Sequence, residues 1–153
     1  MTGLCFGLTS AVITTLGLMV GLTTGTGLKE VVVAGVLTIS VADSLSDALG
    51  IHISEESNKK VSEKAVWEST IMTFVSKLIF GLTFLIPIFL LDLHAAVIVS
   101  ILWGFALLIF LNYYISKNQN KPALGPILEH LVIAAIVIFL TYFIGVWVKS
   151  IFY

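Results

Sequence analysis

Two aspartates lie four residues apart in a segment that is otherwise mostly apolar or small. The segment is residues 36–57, VLTISVADSLSDALGIHISEES, and the acids are Asp43 and Asp47. Positions four apart share one face of an α-helix, so the two carboxyl groups are expected to stack. Ser40, one turn earlier, and Ser54, two turns after Asp47, lie close to the same line. Such a stripe is suited to binding a cation or a proton.

The composition places this stripe in a membrane protein. The 153 residues are 58% hydrophobic and only 11% charged, whereas soluble domains are about 25% charged. A carboxylate inside a bilayer is costly, so it usually faces a partner charge, the bundle interior or a water-filled path. The net charge of −1 offers no basic surface for nucleic acid. The single cysteine, Cys5, has no partner for an intrachain disulfide.

Five segments are apolar enough and long enough to cross a bilayer. We predict an all-α, polytopic membrane protein in which residues 1–153 form a single five-span domain. The segment Met1–Leu28 carries no charge, so we interpret it as a first span and not as a signal peptide. The predicted spans are about 4–24, 31–53, 66–91, 95–116 and 127–147, with a short polar connector at 54–64.

Lys77 lies well inside the predicted third span. The uncharged run Leu78–Leu91 that follows has only 14 residues, short of the roughly 20 that a span needs. Lys77 therefore lies at or below the membrane surface. Two interpretations stay open: its side chain extends to the surface, or it pairs with Asp43 or Asp47.

Glycine and proline predict how the spans pack and bend. Gly17, Gly21 and Gly25 recur at four-residue spacing in the first span. Small residues on one face let helices approach closely in lipid, so we predict a close contact within one chain or across a dimer. Pro87 is predicted to kink the far end of the third span.

The lysines predict the orientation, because cytoplasmic loops of membrane proteins carry an excess of Lys and Arg. This places the N-terminus in the cytoplasm and the C-terminus outside, or in a lumen. The predicted cytoplasmic side holds Lys59, Lys60, Lys64, Lys117 and Lys121, together with Lys77 if it reaches the surface, and the other side holds Lys29 and Lys149.

Two stretches resemble the vacuolar iron transporter family: Gly7–Leu22, GLTSAVITTLGLMVGL, and Ala42–Ser57, ADSLSDALGIHISEES. The resemblance implies five spans, a cytoplasmic N-terminus and a dimer with the metal path between subunits. It also implies a short form, because the Glu-rich cytosolic metal-binding domain of some members is here reduced to the connector 54–64. The residues that fit the family's second span are Ser46, Ala48, Leu49, Gly50 and Ser54.

The chain departs from the family's pattern at the positions that hold metal. Thr9–Ala11, read Thr-Ser-Ala, stands where the family has Asn-Asp-Gly, so the first-span carboxylate is missing. Asp47 stands at the family's Met position, Ile51 at the Glu position and His52 at the Tyr position, while Asp43 falls where Gly is common. Either the acids have been relocated from the first span to the second, or the function has changed.

We therefore expect a membrane transporter that moves divalent metal ions, Fe²⁺ or Mn²⁺, out of the cytoplasm, with exchange for protons as a further hypothesis. Carboxylate oxygen suits these ions, and close acids repel, which lets a proton compete with the metal. If the second span lies near a two-fold axis, a homodimer would supply four carboxylates. The predicted metal ligands are Asp43, Asp47, Ser54, His52, Glu55 and Glu56, of which His52, Glu55 and Glu56 belong to a cytoplasmic patch that gathers cations or is only solvated surface.

The alternative is a membrane scaffold or assembly subunit without transport, whose intramembrane acids pair with Lys77.

The sequence contains no His-Glu-x-x-His, Gly-x-Ser-x-Gly or Walker motif, so we expect neither an enzyme nor a bound cofactor. The expected partners are metal ions, the lipid bilayer and a second copy of the chain.

Overall fold

A computed structural model describes residues 2–152, and over this range the chain is helical with no strand. The helices are α1 (Thr2–Thr26), α2 (Lys29–Glu56), α3 (Glu63–Thr83), α4 (Leu85–Leu90), α5 (Leu93–Asn118) and α6 (Leu124–Phe152). The short helix α4 continues the span that α3 begins, so five helical segments are long and apolar enough to cross a membrane. The prediction of an all-α, five-span protein is confirmed.

The polar segment between the second and third spans is part helix and part connector. Helix α2 continues to Glu56 and α3 begins at Glu63, so the predicted connector 54–64 overlaps the ends of both helices. Ser62 caps α3, because its side chain accepts a hydrogen bond from the backbone N–H of Ala65 at 3.3 Å. Residues 57–62 therefore separate the two helices, and the polar residues on either side extend them.

The third span breaks where Pro87 predicts a kink. A proline has no N–H to donate, and its ring clashes with the carbonyl four residues earlier, here that of Thr83. Helix α3 ends at Thr83 and α4 begins at Leu85. Across the break, Trp103 on α5 donates an indole hydrogen bond to the Thr83 hydroxyl at 3.1 Å. The helix therefore breaks within the turn before Pro87, where the sequence predicts a kink.

Helix α1 lies at the centre of the bundle and packs against α2, α3, α5 and α6. Its residues Val12, Leu16 and Met19 are fully buried. The contact with α6 is close, because a Cβ added at Gly145 would lie 2.6 Å from the Gly21 carbonyl oxygen. The glycine spacing of the first span therefore marks a close helix contact within one chain.

Candidate functional site

Asp43 and Asp47 of α2 both contact Lys77 of α3 inside the bundle. Lys77 Nζ lies 2.6 Å from Asp43 Oδ2 and also contacts Asp47 Oδ2. The lysine side chain is only 2% exposed, whereas the two aspartate side chains are 27% and 21% exposed. The interpretation that Lys77 extends to the membrane surface is wrong, because its ammonium group is held by two carboxylates.

Ser10 of α1 completes this cluster from a third helix. Its hydroxyl accepts a hydrogen bond from Lys77 Nζ at 2.7 Å and donates one to Asp47 Oδ2 at 2.7 Å. Asp47 therefore receives two donors, whereas Asp43 Oδ2 has the ion pair but no aligned hydrogen bond from any residue the structure describes. We call Ser10, Asp43, Asp47 and Lys77 the ion-pair cluster. It carries two negative charges and one positive charge.

One carboxylate of the ion-pair cluster, that of Asp43, can be approached from a groove between α1 and α2. Asp43 lines this groove, which has a volume of about 800 Å³, and Lys77 does not. A cation in the groove would therefore meet the Asp43 carboxylate before the lysine behind it. Several other lining residues are small or carry a hydroxyl, among them Thr14, Thr38, Ala42 and Ser46, and the rest are larger apolar residues such as Leu18 and Leu22.

His52 and Glu55 lie further along α2, where each is held by α3. His52 Nδ1 lies 3.0 Å from the Thr70 hydroxyl oxygen, and that hydroxyl donates its own proton to the Val66 carbonyl. Thr70 can only accept from His52, so Nδ1 carries the hydrogen and a neutral ring leaves Nε2 free to accept or to bind a metal. Glu55 Oε1 accepts a hydrogen bond from Ser69 at 3.0 Å.

The six predicted ligands therefore do not form a single site. Asp43 and Asp47 lie together, and His52 and Glu55 are each tied to α3, while Ser54 and Glu56 are exposed and join neither group. Between residues 2 and 152 no set of three or more His, Cys, Asp or Glu side chains is placed to hold a metal ion. The predicted ligands that the structure brings together within this range are therefore Asp43 and Asp47.

Sequence analysis did not identify Ser10 as part of the site, and its removal should weaken the cluster. We expect Ser10→Ala to lower the free energy of unfolding by about 1–3 kcal/mol, because Lys77 and Asp47 lose a shared buried partner. Thermal unfolding of the purified protein in detergent measures this. The control is Thr14→Val on the same helix, whose hydroxyl bonds only to the Ser10 carbonyl. Equal losses in the two variants would contradict the role of Ser10.

A model of the VIT family, the vacuolar iron transporters, matches residues 47–146 of the chain. The match begins at Asp47 and ends within α6, so it includes most of Ala42–Ser57 but not Gly7–Leu22. None of the curated proteins compared with the chain matches it. The matched segment covers well over half of the chain and includes most of its apolar spanning helices. The chain is an integral, multi-pass membrane protein that belongs to the VIT family, a family of metal-ion transporters and not of enzymes.

Proposed function

We propose that this protein moves divalent metal ions, Fe²⁺ or Mn²⁺, out of the cytoplasm in exchange for protons. The observation that carries the proposal is the pair of carboxylates, Asp43 and Asp47, within a membrane-spanning bundle, with Asp43 lining the α1–α2 groove. Carboxylate oxygens suit hard divalent ions. Protons that move in the opposite direction would compensate the charge that the metal ion carries across the membrane.

The position of Ser10 supports relocation of the family's acid from the first span to the second. By the resemblance, Ser10 stands where the family has Asp. Its hydroxyl lies 2.7 Å from Asp47 Oδ2, so a carboxylate from α2 occupies the space beside this position on α1. The site keeps an acid at this point in the bundle, and a different helix supplies it.

Lys77 acts in this proposal as a counter-ion that holds the site when no metal is bound. Its ammonium group neutralises part of the charge of Asp43 and Asp47, which lowers the cost of keeping two acids in the membrane. A divalent ion that enters from the groove carries twice the charge and displaces Nζ from the carboxylates. The lysine stem has four flexible carbons, so the ammonium can withdraw without movement of α3.

A homodimer in our proposal supplies the ligands that one chain lacks. Helix α2 exposes Ala34, Thr38, Ala42 and Ser46 at four-residue spacing beside Asp43, and we call these the small-residue face. Small residues allow close helix approach in lipid. Two copies joined symmetrically across this face would bring four carboxylates together.

The orientation in this proposal keeps the N-terminus in the cytoplasm and the C-terminus outside. The α2–α3 connector and the α5–α6 loop then face the cytoplasm with five of the eight lysines. His52, Glu55 and Glu56 lie at this end of α2 and would gather cations before they enter the groove.

Metal flux into proteoliposomes tests the proposal, with Mn²⁺, Fe²⁺, Co²⁺ and Zn²⁺ compared in the presence and absence of a pH gradient. We expect flux that the gradient accelerates, and its loss in the double variant Asp43→Asn, Asp47→Asn. The matched control is Glu30→Gln, Glu129→Gln, which removes two exposed acids outside the groove. A folded wild-type protein that moves none of these metals would refute the proposal.

The scaffold function is the second candidate, and the contact of Lys77 with both acids favours it. In a scaffold the ion-pair cluster serves assembly, so the double Asn variant would lose its native oligomeric state instead of flux. Adding Lys77→Met to that variant would then restore part of the assembly, because the buried ammonium would no longer lack a partner. Size-exclusion chromatography of the two variants distinguishes the candidates.

A further inference from the structure

A second cleft lies between α5 and α6, on the membrane side that holds the α1–α2 turn. It has a volume of about 790 Å³, within the range of roughly 300–1,000 Å³ that is usual for small-ligand pockets. The deep part of the cleft is apolar. Its walls there include Val97, Ile101 and Phe105 of α5 and Ala135, Ile138 and Phe139 of α6.

The mouth of this cleft is polar and basic. Lys149 near the end of α6 and His94 near the start of α5 both line it and are exposed. Within residues 2–152, ion pairs form only at Lys64 and Lys77, so no acid neutralises Lys149 there. A ligand with an anionic group at one end and an apolar body would match both parts of the cleft.

Thr23 of α1 adds an unsatisfied donor inside the cleft. Its side chain lines the cleft and is 9% exposed, and its buried hydroxyl oxygen has no hydrogen-bond partner in the described part of the chain. Several other threonine hydroxyls in the spans donate to a carbonyl of their own helix, as at Thr14 and Thr141. Thr23 lies one turn below the mouth, so its hydroxyl is available to a ligand oxygen at that depth.

The length of the cleft matches one leaflet of a bilayer. The stretch of α6 between Ala135 and Lys149 rises about 21 Å along the helix axis. Half of a bilayer, counted from the headgroups to the midplane, measures roughly 20–22 Å. The cleft therefore runs from the headgroup level down to the ends of the acyl chains.

We propose that this cleft binds one anionic phospholipid from the surrounding leaflet. Its phosphate lies at Lys149 and His94, an ester oxygen accepts the hydrogen bond of Thr23, and one acyl chain runs between α5 and α6. The proposal is independent of metal transport, because no residue of the cleft belongs to the ion-pair cluster.

Native mass spectrometry of the delipidated full chain tests this proposal, with dioleoyl phosphatidylglycerol and dioleoyl phosphatidylcholine added in turn. We expect one retained phosphatidylglycerol and little phosphatidylcholine. Lys149→Gln should weaken retention roughly fivefold through loss of the headgroup contact. Thr23→Val removes the hydroxyl and keeps the shape, and Ala135→Trp fills the deep end, so each should also lower retention.

The matched control is Lys29→Gln, which removes the same charge on the same membrane side. Lys29 donates to the Leu91 carbonyl at 2.9 Å and does not line the cleft, so its loss should leave retention unchanged. Equal retention of the two lipids, or equal effects of Lys29→Gln and Lys149→Gln, would overturn the proposal. If Ala135→Trp dissociates a dimer of the chain and leaves lipid retention unchanged, the lipid proposal is also overturned. The cleft would then be an interface between two copies of the chain.

Discussion

Replacing Lys77 with methionine is expected to destabilise the fold by about 3–5 kcal/mol, because removing one partner of a buried ion pair leaves uncompensated charge. Methionine keeps an unbranched, flexible stem and removes the ammonium. Asp43 and Asp47 then lie one helical turn apart without a counter-ion. The Ser10 hydroxyl also loses the hydrogen bond that Lys77 Nζ donates to it. Thermal unfolding of the purified variant in detergent measures the loss.

Neutralising the acids should reverse this loss. In the triple variant Lys77→Met, Asp43→Asn, Asp47→Asn no charge remains in the ion-pair cluster, so most of the stability should return. The control is Lys64→Met, which breaks an exposed contact to Glu68 at 3.8 Å and should cost at most about 1 kcal/mol. A Lys77→Met protein as stable as the wild type would show that the ammonium does not hold the cluster together.

Divalent metal should rescue Lys77→Met if the carboxylates are also the transport ligands. A ligand that binds only the folded state raises the free energy of unfolding by RT ln(1 + [L]/Kd), so tighter binding gives a larger rise at the same metal concentration. Without the competing ammonium, Mn²⁺ should raise the unfolding temperature of Lys77→Met more than that of the wild type. KCl at the same ionic strength, which screens charge without a divalent ion, separates metal binding from general charge screening.

The five spans could be predicted from the sequence because length and hydropathy alone determine them. The partner of Lys77 could not be predicted, because a lysine near the end of a span can extend to the membrane surface or pair with an acid. Only the packing of α2 against α3 decides between these two interpretations. Asp43 and Asp47 were visible as a stripe, and pairing with Lys77 was one of two open interpretations. The structure selects it because the lysine side chain is buried at the contact.

Ser10 was harder to identify because of its chemical type. A hydroxyl in a membrane helix usually bonds back to its own helix, as Thr14 does, so its presence carries little information. Only the contact of α1 with α2 and α3 shows that Ser10 bridges two charges. The one available signal was its position, where the resembling family has an acid.

The exposed surface of α2 also required the three-dimensional arrangement. Leu37, Val41, Leu45 and Leu49 are exposed apolar residues that suit contact with lipid. The small-residue face lies on the same helix and is also exposed, but it borders the groove that contains Asp43. Hydropathy does not separate the two faces, because both are acceptable in a bilayer. The size of the side chains does separate the two faces, because it decides how closely a second helix can approach.

Replacing Ala42 with tryptophan is expected to dissociate the proposed dimer and to stop metal flux. Ala42 lies in the middle of the small-residue face and lines the groove beside Asp43. An indole at this position would hold two α2 helices apart and block access to the carboxylates. Flux into proteoliposomes and the molecular mass of the protein in detergent measure the two effects.

The control for this prediction is Val41→Trp, which places the same side chain at the same depth. Val41 is 50% exposed and does not line the groove, so the control should keep both the dimer and the flux. If Ala42→Trp keeps the dimer and loses flux, the groove is a path within one chain and another surface forms the dimer. If both variants behave as the wild type does, neither the interface nor the path lies along this face of α2, and Asp43 and Asp47 act in the bundle only as partners of Lys77.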